Sequence, residues 1–269
     1  MFILNQAPNR VEYVTSDIIK SKHAFSTRIG GVSNISYTSS LNLAFNRGDT
    51  EETVLENLRL FGEAVGFDPH DVISLPQIHS DIVITATLSM RGEGYFKAPH
   101  MSCDGYITEE KGVVLGVKSA DCVPIIMEAE DKNGHVAAVS AIHAGWRGTV
   151  SGIAGRAVER FVKQGFSAES IRVAIGPSIG ACCFEVGDDF LEILKSACGE
   201  DFANRFTFKK GQKSYADIRH MNLEILKKSG ISEHNVDISN ECTFCSCEKY
   251  YSHRRSSGQR GTMLSVVFM

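Results

Sequence analysis

The sequence predicts an α+β or α/β domain built on mixed β-sheet, running through residues 1–269 as one unit. Three observations predict it. Short β-branched or apolar runs are interleaved with segments of helical period, without strict alternation. Three such runs fall between Val113 and Ile142 with no helical segment among them, a pattern foreign to a doubly wound parallel sheet. No repeat, charged block or Pro/Ser-rich linker divides the chain, and 43% hydrophobic with 22% charged residues is ordinary globular composition.

The elements follow in order. The N-terminal part reads as loop-rich. Val54, Leu58, Phe61 and Val65 share one helical face, and Asp49-Thr50-Glu51-Glu52 supply a cap and first-turn acids. Strands are expected at Val72–Leu75 and Ile82–Thr87, then at Val113–Val117, Val123–Met127 and Val136–Ile142. A second helix starts near Thr149 and uses Val150, Ile153, Ala157 and Phe161. Ile171–Ile175 is a strand, and Asp188–Ala197 a helix with Phe190, Leu191 and Leu194 inward. A last helix starts near Asp217, uses Ile218, Met221 and Ile225, and stops at Gly230, before a final strand at Leu264–Phe268.

Composition narrows the function. A net charge of −4 creates no field that would gather nucleic acid or anionic membrane. No apolar run approaches the ~20 residues of a membrane span, and Met1-Phe2-Ile3-Leu4 lacks the basic start of a signal peptide. Eight cysteines in such a chain are expected to stay reduced, which fits a cytoplasmic setting. A monomer is the expected state.

The chemistry concentrates at strand ends. His143-Ala-Gly-Trp-Arg-Gly148 closes one apolar run, Ser119-Ala-Asp-Cys122 follows another, and His79 stands between two more. His79, Cys122 and His143 lie 43 and 21 residues apart, which excludes a local zinc finger but allows a catalytic metal with one open position. Two imidazoles and a thiolate suit Zn²⁺, with copper second. The same residues also allow a buried structural cysteine, or a Cys122–His143 nucleophile and base. Arg147, Arg254 and the turn Gly176-Pro-Ser178-Ile-Gly180 are candidates to hold an anion. Cys242 and Cys245 form a CxxC, which is half a zinc site or a redox pair. Its one other close partner in sequence is Cys182-Cys183. Vicinal cysteines chelate one ion poorly, so no second metal is expected there.

Together these stretches resemble a known family. They are His23-Ala-Phe-Ser-Thr-Arg28, Gly30-Gly-Val-Ser33, Ser40-Leu-Asn-Leu43, Gly48-Asp49, Gln77-Ile-His79-Ser80, Asp104-Gly105, Ala120-Asp-Cys122, His143 to Gly148, Gly176 to Gly180, Phe184 to Gly187, Cys242-Thr243 and Ser252-His-Arg-Arg255. The chain is similar to the laccase-domain, or multicopper polyphenol oxidase-like, family of purine nucleoside phosphorylases, which includes the peptidoglycan editing factor. The resemblance implies a layered α/β/β/α domain and zinc at His79, Cys122 and His143. It implies purine nucleosides and phosphate as substrates: phosphorolysis of adenosine, inosine, guanosine and S-methyl-5'-thioadenosine, and adenosine deamination. Within it, Arg47, Arg147, Ser178 and Arg254 are candidate substrate contacts. Asp121 is a candidate to orient a ligand histidine or to move a proton, and Trp146 to stack on a purine. Asn46 stands where many relatives carry His, and Gln259-Arg-Gly-Thr262 replaces a Thr-Gly-Arg pattern. The residues also allow a Cys–His hydrolase or amidase, and the resemblance implies two further alternatives, a peptidoglycan-precursor editing enzyme and a copper polyphenol oxidase. The last fits poorly, because only His79 and His143 of nine histidines fall in the site.

Overall fold

A computed structural model describes residues 1–269. Two six-stranded mixed sheets pack face to face between helical layers, with a small three-stranded sheet beside them. This is the expected α/β/β/α order.

The first sheet runs Phe2–Gln6, Glu12–Ser16, Lys22–Ser26, Met263–Phe268, Val114–Ser119 and Val72–Ile73. The second runs Val236–Ile238, Ile171–Ile175, Val123–Glu130, Val136–Ala144, Gly105–Thr108 and Val83–Thr85. Side-chain alternation assigns the layers. Leu115, Val117, Val267, Ile126, Val139, Ala141 and Ala174 fill the space between the sheets. The outer face of the first sheet presents Val114, Leu264, Val266 and Phe268 to Val54, Leu58 and Phe61 of helix Glu51–Val65. The outer face of the second presents Val123, Ile125, Met127 and Ile142 to Ala154, Ala157, Val158 and Phe161 of helix Ile153–Lys163. The central strands are buried on both faces, which explains their continuous apolar runs.

Most expected elements stand where the pattern put them: the first helix is Glu51–Val65 with Thr50 as N-cap, and the last is Ile218–Lys228 with Asp217 as N-cap. Three expectations need correction. The N-terminal part holds three strands, not loops. The helix expected from Thr149 starts at Trp146 and breaks at Gly152, whose φ of 82° ends the short helix Trp146–Val150 before Ile153–Lys163 begins. A further helix, Glu200–Phe206, and the small sheet of Glu185–Val186, Lys213–Ala216 and Thr207–Lys210 were not anticipated. No helix is long and apolar enough to cross a membrane.

Candidate metal centre and active-site cavity

The antiparallel pair Val123–Glu130 and Val136–Ala144 brings Cys122 to His143: Pro124 registers with His143, and Cys122 precedes the strand by one residue. His79 lies on the loop between Val72–Ile73, in the first sheet, and Val83–Thr85, in the second. The donor atoms of His79, Cys122 and His143 lie within 4.8 Å of one another. Cys122 Sγ is 3.9 Å from His79 Nε2, and the two imidazoles meet edge-on at 81° with centroids 4.9 Å apart. Zinc bonds of about 2.3 Å to sulfur and 2.0–2.1 Å to nitrogen need donor separations near 3.5 Å. The three residues therefore fit a small tetrahedral ion with little movement.

Asp104 organises the centre. Its fully buried carboxylate accepts from His143 Nδ1 at 2.8 Å, which leaves Nε2 free. It also accepts the backbone N–H groups of Ile78, His79 and Ser80, and the Ser80 hydroxyl. One side chain thus fixes a ring and the loop that carries another. His79 sits at φ 59° and Asp121 at φ 94°, left-handed conformations uncommon for such residues and concentrated at sites that hold them for a purpose.

The charges are interlocked. Burial opposes ionisation of Cys122, yet the His143 charge and hydrogen bonds from both histidines pull its thiol down to about 6. Burial likewise opposes the His143 cation, but Cys122 and then Asp104 raise it to about 9. Asp104, against its own burial, is drawn down to about 2 by His143 and Ser80.

Gly145 closes the back of the centre. A Cβ there would lie 2.7 Å from His79 Cδ2, 3.3 Å from Cys122 Sγ and 3.5 Å from His143 Cε1. Gly145→Ala is expected to push His79 out of position and to cut turnover by about 10²-fold, while the circular dichroism spectrum stays native. Unaltered turnover with full metal content would show that this packing is not needed.

A cavity of about 710 Å³ opens in front of the three residues. Arg47, Lys118 and Arg260 line it, with Phe45, Tyr95 and Phe96 as aromatic walls. No carboxylate lines it. Lys118 Nζ reaches only the Ser74 carbonyl at 3.3 Å and the Tyr95 ring face at 4.9 Å. Burial, then Arg47, pushes Lys118 down to about 8. Burial, then Arg47, likewise lowers Arg260 to about 10. Arg47, Lys97, Lys118 and Arg260 face a cavity that no carboxylate lines, which makes it an anion site.

The other sequence candidates are placed as follows. Arg47 lines the cavity; Arg147, Ser178 and Arg254 do not. The Arg147 guanidinium lies 4.1 Å above the Trp146 ring. Ser178 is fully buried. Arg254 donates its backbone N–H to Asp121 and its Nη1 to the Glu185 carbonyl. Trp146 is half-buried, packs edge-on against Phe190 at 5.4 Å at the margin of the core beneath the second sheet, and does not line the cavity. Asp121 does not orient a ligand histidine: Thr243 Oγ1 donates to one oxygen at 2.6 Å and the Arg254 N–H to the other at 2.7 Å. Asp104, Lys118 and Arg260 are the residues that sequence reasoning left without a role.

A layered fold with a His₂Cys centre facing a cationic cavity defines the class. The family described as multi-copper polyphenol oxidoreductase laccase matches residues 22–269, and the chain belongs to it. It is 32% identical over 244 residues to purine nucleoside phosphorylase YlmD of Geobacillus stearothermophilus, covering 90% of this chain and 87% of that protein. It is 32% identical over 254 residues to adenosine deaminase RL5 of an unknown prokaryotic organism, covering 93% and 95%. The crystal structure of YlmD from Geobacillus stearothermophilus superimposes with a TM-score of 0.87 at 28% identity, over 100% of this chain and 99% of that one.

Proposed function

We propose that the chain acts as one domain, 1–269, with zinc at His79, Cys122 and His143, and is a purine nucleoside phosphorylase. Adenosine, inosine, guanosine and S-methyl-5'-thioadenosine are its substrates, and it deaminates adenosine in the same site. The observation that carries this reading is the trio Arg47, Lys118 and Arg260, with no carboxylate lining their cavity, beside the His₂Cys group. A hydrolase working through a Cys122–His143 dyad needs neither the trio nor His79.

Zinc, when bound, supplies Lewis-acid polarisation at an open fourth position. The residues supply the rest. Arg47, Lys118 and Arg260 hold the phosphate dianion, and Phe45, Tyr95 and Phe96 give the purine an apolar wall. Phosphate oxygen bonds to ribose C1' as the bond from C1' to the purine breaks, and the proton of hydrogen phosphate passes to the departing base. Gln77 fixes the strand that bears Lys118, accepting its N–H at 2.7 Å and donating to its carbonyl at 2.8 Å. The reading places the chain in the cytoplasm, where nucleosides and phosphate meet.

The direct test is adenosine with and without phosphate. Ribose 1-phosphate and adenine are expected only with phosphate, and inosine in either case. Cleavage at equal rate without phosphate would overturn the phosphorylase assignment.

Lys118 gives a second prediction. Its lowered pKa means that the empty fold carries an unfavourable charge below pH 8, a cost relieved as pH rises from about 8 toward the unfolded value near 10.4. Lys118→Met is expected to stabilise the phosphate-free protein by on the order of 1–3 kcal/mol and to raise KM for phosphate about tenfold or more. Phosphate should raise the Tm of the wild type but not of the variant. An equal rise in both would remove Lys118 from the anion site.

A further inference from the structure

The fold assembles a second cluster that the proposed reaction does not use. Cys182 and Cys183 lie on the turn after Gly180, between strand Ile171–Ile175 and the small sheet. Cys242 and Cys245 lie on the segment between strands Val236–Ile238 and Met263–Phe268. More than fifty residues separate the two pairs, yet all four sulfurs fall within 4.8 Å of one another. Cys245 Sγ is 3.7 Å from Cys182 Sγ and 3.4 Å from Cys183 Sγ. A tetrahedral ion with bonds of about 2.3 Å to sulfur has S···S edges near 3.8 Å. The sulfurs stand around a point, not in bonded pairs.

The surroundings of Cys242 suit a thiolate. Backbone N–H groups of Gly180, Phe244 and Cys245 converge on Cys242 Sγ, with Gly180 N at 3.1 Å. Donors of this kind stabilise sulfur that carries negative charge. Arg219 is the cation alongside: an ideal Cβ on Gly180 would lie 2.8 Å from Arg219 Nη2, 3.2 Å from Cys182 Sγ and 3.2 Å from Cys242 Cβ. Arg219 Nη1 donates to the carbonyls of Ser239 and Glu241, but its buried Nε has no partner. A buried guanidinium N–H beside four neutral thiols is poorly compensated, whereas beside a tetrathiolate complex of net charge −2 it is matched.

We propose that Cys182, Cys183, Cys242 and Cys245 form a tetrathiolate site for a soft divalent ion, Zn²⁺, separate from the His79–Cys122–His143 centre. Binding exchanges the thiol protons for four Zn–S bonds, with no change of oxidation state. The ion ties the loop after Ile175 to the segment after Ile238. The gain reaches the first centre through Asp121: Thr243, next to Cys242, donates to its carboxylate, and Ile179 donates its N–H to its carbonyl at 2.9 Å. Asp121 is the residue before Cys122. The vicinal pair is a positioning clamp in this reading, and the earlier expectation against a metal here gives way to the geometry of the folded chain.

The test is a metal count on the full chain, purified reduced and without chelator. About two zinc ions per chain are expected. Cys122→Ala should keep about one, and Cys182→Ser/Cys245→Ser should lose that one while the Cys122-dependent ion stays. Cobalt-loaded Cys122→Ala protein should show intense sulfur-to-metal charge-transfer absorption, which needs no variant within the cluster. Zinc-free Cys122→Ala protein would overturn the proposal, and so would cluster cysteines paired as a disulfide in the purified wild type. The two sites fail separately: zinc that survives Cys122→Ala and vanishes in the double serine variant supports the cluster even if the first centre holds none.

Discussion

Cys122→Ala is expected to abolish metal binding at the His79–His143 centre and to lower phosphorolysis by more than about 10³-fold. Loss of a residue that merely supports a ligand typically costs 10–100-fold in metal affinity or activity, and removal of the one thiolate among three ligands must cost more. Cys122 is half-buried and its sulfur packs against both imidazoles and Gly145. Alanine there leaves a small void and few lost contacts, so the fold should survive with a Tm within a few degrees. The variant also separates rival chemistries. A dyad without metal would lose turnover in Cys122→Ala but would tolerate His79→Ala. A zinc enzyme loses both turnover and ion in each. Normal turnover by Cys122→Ala protein with no ion at the His79–His143 centre would exclude the zinc centre from the reaction.

A proton count sharpens the same test. In the metal-free protein the thiol of Cys122 is held down to about 6 and the imidazole of His143 up to about 9. Between those values the pair is already a thiolate and an imidazolium. Zinc uptake near pH 7.5 should then release close to one proton, from His143, with none from Cys122. Uptake should weaken below about pH 6, as the thiolate protonates. Titration calorimetry in buffers of different ionisation enthalpy measures the number. Release of two protons would mean that Cys122 is an ordinary thiol.

Legibility in the sequence followed burial. Val123–Glu130 and Val136–Ala144 lie between two packed layers, and their runs of Val, Ile, Met and Ala say so. The edge strand Phe2–Gln6 is wet on both faces, with the consecutive Ile3 47% and Leu4 50% exposed, so its alternation is blurred and it reads as loop. The ligand set was visible because His and Cys at strand ends are few. Their support was not. Asp104-Gly105 looks like a turn, and only the return of strand Val136–Ala144 beside Gly105–Thr108 brings His143 onto it. Asp121 was misread through adjacency: its left-handed backbone turns the carboxylate to Thr243 and Arg254. Lys118 is a single charge ending an apolar run, and nothing local tells that it meets the charge of Arg47 and shares a cavity with Arg260. The cysteine cluster shows the same limit, since vicinal spacing argues against chelation until two distant loops are folded together.

Asp104→Asn is expected to weaken zinc binding by 10–100-fold and to remove a stabilising carboxylate. The asparagine side chain keeps one acceptor oxygen and gains two N–H donors. At least one oxygen that now accepts from Ser80 or His143 becomes a donor facing a donor. The native carboxyl sits near 2 against an unfolded value near 3.9. A depressed pKa of this kind gives stability that is present above about pH 4 and fades as pH falls through 2, on the order of 2 kcal/mol. Asp104→Asn should lose that acid-sensitive part, so its Tm should fall most above pH 5 and converge on the wild type near pH 2. Loosening the His79 loop should also raise hydrogen exchange at Ile78, His79 and Ser80, whose N–H groups the carboxylate holds. An Asn variant with wild-type zinc affinity would show that Asp104 supports the fold without positioning the metal ligands.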